Sequence, residues 1–314
     1  MAEHDVVFEA MGSQVRLLIG EGEGGLPSAA EAADRERRFV AEFEAALTRF
    51  DPGSELCALN ADPRPVVPAS ELVRALVEAA IAAARRSDGL VDPTLLGAIE
   101  AAGYVGSREG PGVPLRTALA SAPPRRAARP SAESPWRRLE VDEEAGTVSR
   151  PPGVRIDSGG VGKGLAADLV AARLRGYRRF AVDCGGDVRI GGAAALVDPY
   201  DVFVEHPLTG ERVFALRLGS GGVATSGLNV RIWEGEDGRY RHHLLDPSSG
   251  EPAWTGLVGA TALGDTAVEA EALAKAALLS GPVGGRAVLA ELGGLLVHDE
   301  GEVELVGPIG ARAL

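Results

Sequence analysis

Three observations make this 314-residue chain read as a mixed α+β fold, loosely α/β. Amphipathic helical segments and short apolar strand patterns are interleaved without strict alternation. Strand patterns dominate from residue 139 onward. Between them, Arg155-Ile156-Asp157-Ser158-Gly159-Gly160-Val161-Gly162-Lys163-Gly164 leads an apolar, acid-tipped run through a glycine loop into an Ala/Leu-rich helix. Glycines free successive N–H groups to point at an anion, and a helix start adds partial positive charge, so such a loop suits a phosphate or diphosphate. The length suffices for a sizeable core, and residues 4–312 read as one domain without internal repeats.

The elements follow in order. Residues 6–19 predict a hairpin bent at Met11-Gly12-Ser13. Gly20 to Gly25 formally spells GxGxxG, but Glu21 and Glu23 would repel a pyrophosphate and no helix follows at once, so it is not read as a nucleotide loop. Residues 28–49 predict a helix capped by Ser28, with Phe39, Phe43, Leu47 and Phe50 at helical spacing. A turn and short helical stretch cover 51–60. A second amphipathic helix covers 70–86, and Asp92-Pro93-Thr94 opens another short segment. Residues 106–135, rich in Gly, Pro, Ala and Arg, read as an irregular connection and a candidate mobile insertion. Strands are expected at 139–141, 147–149, 155–157, 180–182, 188–190, 202–204, 213–218 and 259–263. Helices are expected at 165–174, ending at Gly176 as a C′ glycine, and at 267–279, before a last helix-and-strand unit over 288–305.

A net charge of −13 argues against a broad nucleic-acid or anionic-membrane surface, while leaving room for a local basic pocket. No window of about 18 uncharged apolar residues appears, so no membrane insertion is expected. The start, Met1-Ala2-Glu3-His4, has neither leader features nor a lipid-accepting cysteine, which predicts a cytoplasmic protein. Cys57 and Cys184 lack metal spacing and are expected as buried free thiols. Among 32 basic residues only Lys163 and Lys275 are lysines, so each is a candidate for a role that a compact ammonium fills better than a guanidinium.

Further motifs add chemistry. Cys184-Gly185-Gly186-Asp187 puts a carboxylate and turn amides at a strand end. Ala224-Thr225-Ser226-Gly227 offers two hydroxyls for phosphate or ring heteroatoms. His242-His243-Leu244-Leu245-Asp246 brings imidazoles near an acid, and histidine moves protons near neutral pH. A His-His-x-x-Asp metal site would need a third ligand that has no suitable spacing here. Each motif alone also reads as an ordinary turn or strand end.

In order, these pieces resemble the ApbE family, the FAD:protein FMN transferases. The matching segments are Met11-Gly12-Ser13, Ser54-Glu55 with Leu59-Asn60, Asp92-Pro93-Thr94, and Asp157 to Gly164 with Asp168. They continue with Gly185-Gly186-Asp187, Thr225-Ser226-Gly227, His243 to Pro247 with Gly250 and Pro252, and Ala270-Glu271-Ala272-Leu273. The resemblance implies the mixed-sheet fold of the family, with a flavin cleft. It implies transfer of FMN from FAD to a Thr or Ser hydroxyl of a target protein, leaving AMP. It places Met11, Phe50, Leu90, Val91, Asp92 and Asp168 around FAD, with Phe50 where the family usually has tyrosine. Lys163 and Gly160 would lie near the pyrophosphate, and Thr94, Gly186, Thr225, Ser226 and His243 complete the FAD-binding set. The catalytic candidates are His243, for the hydroxyl proton, with Lys163 and Asp187.

The resemblance also implies Mg²⁺, held partly by a backbone carbonyl, here Ala171, and by an Asp and a Thr one helical turn apart. Those two positions are Glu271 and Lys275 in this chain. A charged lysine cannot ligate a metal and repels it at close range. Three arrangements follow: an ordinary i,i+4 pair with no metal, an ammonium standing in for the cation, or a lysine turned away with Mg²⁺ on fewer ligands. The competing functions are FAD pyrophosphatase activity, giving FMN and AMP, and FAD binding with weakened catalysis.

Overall fold

The computed structural model describes residues 3–106 and 113–312. Strands β1 (His4–Ala10) and β2 (Ser13–Ile19) form the expected hairpin, whose turn holds Met11 and Gly12 at φ 54° and 64°. Two positive φ values match the right-handed twist of the flanking strands. Val15, Leu17 and Ile19 of β2 are fully buried on one face. Helix α1 (Ala29–Leu47) starts from Ser28 in a capping box with Glu31, and α2 (Glu55–Ala61) starts from Ser54, whose Oγ accepts the Cys57 N–H. β3 (Val66–Pro68), α3 (Glu71–Arg86) and α4 (Leu96–Ala101) follow.

Residues 106–135 carry a short helix not read from the sequence, α5 (Leu115–Ala120), and residues 107–112 fall outside the described chain. After α5 the backbone is bonded to distant segments: Arg126 N–H to the Trp254 carbonyl, Ala128 N–H to the Leu279 carbonyl, and Arg129 N–H to Asp246 Oδ1. β4 (Glu140–Asp142) and β5 (Thr147–Ser149) pair with β3 in a small sheet. Residues 155–157 are not a strand. Their polar groups go elsewhere: the Asn60 amide brackets Ile156, donating to its carbonyl at 2.8 Å and accepting its N–H at 2.7 Å, while Asp157 N–H reaches the Pro93 carbonyl.

Helix α6 (Gly162–Arg173) begins three residues earlier than expected. Gly176 is not its left-handed C′ residue; the Leu174 N–H closes the last turn on Val170 and Ala171 carbonyls. A Cβ at Gly176 would instead lie 2.4 Å from Leu26, so that glycine answers to packing. β6 (Phe180–Cys184), β7 (Asp187–Gly191), α7 (Ala193–Val197), β8 (Tyr200–Glu205) and β9 (Arg212–Leu218) lead to β10 (Gly221–Gly227). β11 (Ile232–Glu234) pairs with β12 (Tyr240–His242), and β8 with β9. β13 (Leu257–Gly264), α8 (Ala267–Leu279), α9 (Gly281–Leu289), β14 (Gly294–His298) and β15 (Val303–Val306) complete the chain.

The main sheet has eight strands in the order β1-β2-β6-β7-β10-β13-β14-β15, every neighbouring pair antiparallel. That makes the fold α+β, with helices packed onto an antiparallel sheet rather than alternating with parallel strands. α8 lies against β10 and β13 and touches α3, α6 and α9. Eleven of its thirteen residues are buried, so it is a core helix buried nearly all round. Glu271 and Lys275 are therefore charges inside the protein, and burial at that depth requires partners.

Candidate functional site

A cavity of about 460 Å³ opens where several element ends converge. The β1–β2 turn supplies Met11, Gly12 and Ser13, and the end of α1 supplies Leu47 to Phe50. The segment before α4 adds Leu90, Val91 and Asp92. The glycine loop contributes residues 158–163, the end of β10 contributes Thr225 and Ser226, and His243 and Lys275 close the wall. The turn is anchored on both sides: Met11 N–H donates to Glu44 Oε1 at 2.8 Å, and Arg231 donates to the Gly12 carbonyl at 2.9 Å. A non-glycine residue at positive φ facing a cavity is strain held by its surroundings.

The loop is tethered before it reaches the cavity. Ser158 Oγ donates to the Leu47 carbonyl at 3.0 Å, and the Val161 and Gly162 N–H groups return to the Ser158 carbonyl. Gly164 N–H donates to Glu271 Oε2 at 2.9 Å. A Cβ on Gly164 would meet Glu271 Oε2 and Val268 N at 2.8 Å, so only glycine lets α6 and α8 approach this closely. Three amides of the expected phosphate cradle are thus already committed. Among the described residues, those of Gly160 and Lys163 remain without a hydrogen-bond partner.

Positive charge comes from two ammonium groups, beside the guanidinium groups of Arg49 and Arg231 in the same wall. Lys163 Nζ donates to Asp187, which is 1% exposed, and Lys275 Nζ donates to Glu271 Oε1 at 2.6 Å. Gly185, at φ 65° and with its Cβ position 2.4 Å from Ser13 Oγ, turns the chain into β7 and so sets Asp187 beside Lys163. Burial opposes charge on Lys163, but the Asp187 and Glu271 carboxylates more than offset it and raise its pKa, keeping it an ammonium. Burial, then the Glu271 charge, push Asp187 upward against the pull of Lys163.

His243 behaves oppositely. Burial, followed by the charge of Lys275, holds its pKa down at about 3, so the imidazole is neutral near neutral pH. Its Nδ1 is buried and has no hydrogen-bond partner, as is Asp92 Oδ2. Asp246 does not orient it, because Asp246 Oδ1 instead accepts from Ser248 N–H, Ser248 Oγ and Arg129 N–H. His242 is fully buried against Trp254, with ring centroids 4.7 Å apart and edge to face, and has a packing role.

The family profile of ApbE matches residues 11–297. The chain belongs to the ApbE family. An FAD:protein FMN transferase of Haemophilus influenzae is 32% identical over 141 residues, covering 43% of this chain and 40% of the relative. One from Salmonella typhimurium is 27% identical over 235 residues, covering 73% of this chain and 62% of the relative. The chain thus spans less than two thirds of either of these relatives. Among solved structures, the ApbE protein of Thermotoga maritima superposes with a TM-score of 0.79 at 26% identity, covering 100% of both chains. The apo flavinyl transferase ApbE of Pseudomonas stutzeri, at 23% identity and TM-score 0.76 over 97% of this chain and 95% of its own, shares the fold.

The ApbE fold brings together most residues singled out from the sequence. Met11, Phe50, Leu90, Val91, Asp92, Gly160, Lys163, Thr225, Ser226, His243 and Lys275 all line the cavity. Others sit behind it. Thr94 donates to Asp92 Oδ1 through both its N–H and its Oγ1, which positions that carboxylate. Gly186 lies behind Gly185, its carbonyl accepting Thr225 N–H. Asp187 is reached through Lys163. Asp168 is not among the residues lining the cavity: its two oxygens accept the Ala267 and Val268 N–H groups at 3.0 Å, capping α8, and Arg189 lies 3.2 Å away. Cys57 and Cys184 are free as expected, but Cys57 is only half-buried.

The expected metal positions do not converge. α6 and α8 meet with Gly164 on Glu271 and Asp168 on Ala267, so Ala171 lies two turns along α6, about 10 Å from Gly164 at 1.5 Å per residue. Its carbonyl accepts the Leu174 N–H. Both Glu271 oxygens are engaged, one by an ammonium, and Lys275 is not turned away. Among the described residues no group of three or more His, Cys, Asp or Glu side chains is gathered for a metal. These residues do not fit Mg²⁺.

The sequence reading missed several wall residues. Arg49 lies over the rings of Phe50 and Tyr104, 4.3 and 4.7 Å from their centroids, and Tyr104 stacks on Trp233 at 5.5 Å. Arg49 also faces Asp157 at 3.5 Å. The Arg49-Phe50 dipeptide was a signal available in the sequence; nothing in it pointed to Tyr104, which arrives from the far end of α4.

Proposed function

We propose that this chain transfers the FMN moiety of FAD to a Thr or Ser hydroxyl of a target protein and releases AMP. The observation that carries the reading is one cavity in an ApbE fold that combines a glycine loop, two ammonium groups, an aromatic wall and a neutral, unpartnered imidazole nitrogen. The relatives that bear the name FAD:protein FMN transferase support the same reading.

The acceptor oxygen attacks the FMN-side phosphorus while the bond from that phosphorus to the bridging oxygen breaks. The electron pair of that bond leaves with AMP, and the hydroxyl proton passes to the neutral imidazole of His243. Such transfers depend on alignment and on neutralising charge spread over phosphoryl oxygens. Lys163 and Lys275 supply that charge without any step through Mg²⁺. Phe50, carrying Arg49 on its face, offers a flat surface to a ring system.

The test is the purified chain with FAD and a candidate acceptor domain, reading in-gel flavin fluorescence and AMP together. Labelled acceptor with stoichiometric AMP supports transfer. AMP and free FMN without labelled protein assigns hydrolysis instead, and bound FAD with no AMP refutes catalysis. His243→Ala is expected to lower turnover about 100-fold, the scale of a lost general base, with FAD affinity nearly unchanged.

A further inference from the structure

The two lysines of this chain, against thirty arginines, both end in the wall of the same cavity. They arrive independently, one from the glycine loop at the start of α6 and one from the middle of α8. Each is held by a carboxylate that is essentially inaccessible to solvent: Asp187 is 1% exposed and Glu271 0%. The carboxylates are the anchors and the ammonium groups face the cavity. An ammonium carries three N–H donors. Each donates one to its carboxylate, which leaves the pair four N–H donors beyond these two contacts.

The surrounding geometry favours a ligand that brings negative charge and many acceptors. The loop amides expected to form the cradle are largely spent on Ser158 and Glu271, leaving those of Gly160 and Lys163. A diphosphate therefore finds most of its donors on side chains. A divalent cation faces the reverse. It would have to displace Lys275 from Glu271 Oε1, 2.6 Å away, and compete with the Gly164 N–H on the other oxygen. An ammonium fixed at one carboxylate repels a second cation there.

We infer that Lys163 and Lys275 together form a built-in dication that holds the diphosphate of FAD without a divalent metal ion. The inference rests on the proposed FMN-transferase reading and names the binding chemistry of that same cavity. The carboxylates fix the spacing of the two charges, and the compact ammonium lets each donor rotate onto a phosphate oxygen, which a rigid guanidinium fork does not.

The experiment is FAD titration of the EDTA-treated 314-residue chain by flavin fluorescence, repeated with added Mg²⁺, for the wild type and two variants. Lys275→Met removes one charge. Because it leaves Glu271 buried and unpaired, Glu271→Gln/Lys275→Met removes both and keeps the helix neutral, and circular dichroism checks that each variant is folded. The expected result is wild-type affinity equal within twofold in EDTA and in Mg²⁺. The folded double variant should then bind at least tenfold more weakly in EDTA. Wild-type binding that appears only with Mg²⁺ overturns this inference and leaves the transferase reading intact. A double variant that binds like the wild type in EDTA also overturns it. Failure of the wild type to bind FAD in either buffer overturns the transferase reading itself.

Discussion

Replacing Gly164 by alanine tests the contact on which the site is built. The new Cβ would lie 2.8 Å from Glu271 Oε2, 2.8 Å from Val268 N and 2.9 Å from Ala267 C. Two of these are backbone atoms of a core helix, so α6 and α8 must separate. Overpacking of this kind costs about 1–3 kcal/mol. Stretching the Gly164 N–H bond to the Glu271 carboxylate forfeits part of the about 1.5–3 kcal/mol of a charged hydrogen bond. Better helix propensity returns at most about 1 kcal/mol. The net expectation is a loss of about 2–4 kcal/mol, read by urea denaturation. Gly162→Ala is the control. Its Cβ would meet only Ser158 Cβ at 3.7 Å, an ordinary contact, and its stability is expected within about 0.5 kcal/mol of wild type or slightly above it. Equal stability of the two variants would show that the close crossing of α6 and α8 does not set the position of Glu271. The Gly164 variant should also bind FAD more weakly, because Glu271 carries Lys275 with it.

Three further outcomes follow from the same structure. His242 and His243 have folded pKa values of about 3, well below the ordinary 6.5, so the folded chain binds neither proton at pH 5 while the unfolded chain binds both. Their contribution to stability is complete above pH 6.5 and is lost as pH falls toward 3, by about 1.4 kcal/mol per pH unit for each imidazole. NMR titration of the two rings should show them neutral at pH 5, and an inflection near 6.5 for either would contradict their burial. Asp168→Asn should destabilise the fold by about 1–2 kcal/mol through the α8 start it caps, with FAD affinity little changed. A large loss of affinity at unchanged stability would return Asp168 to the ligand. Phe50→Ala should weaken FAD binding about threefold to tenfold while Phe50→Tyr should not, as measured by fluorescence titration; no effect of either would remove the aromatic wall from the site.

Local chemistry wrote much of this protein into its sequence. Ser28 and Ser70 mark helix starts because a hydroxyl takes a terminal N–H, and both caps are present. The Met11-Gly12 bend and the 267–279 helix were legible from local residue types, and both occur as read. Lys163 was legible as a cavity residue because a lone lysine in a glycine loop stands out from a chain otherwise built on arginine. Strand β10 was not legible: three of its seven residues are glycine, and its place between β7 and β13 comes from partners far away in sequence.

Sequence order set the motifs in a row, but their assignment depended on the crossing of α6 and α8. Asp168 reads like a ligand until the fold shows both its oxygens on the start of α8. Lys275 leaves three arrangements open in the sequence, and the fold seats it on Glu271, in the wall of the cavity that Lys163 also lines. Spacing along the chain fixes which residues share a helix face. Only packing decides which of two buried charges is partnered, because the cost of burying a charge is set by what stands beside it in space.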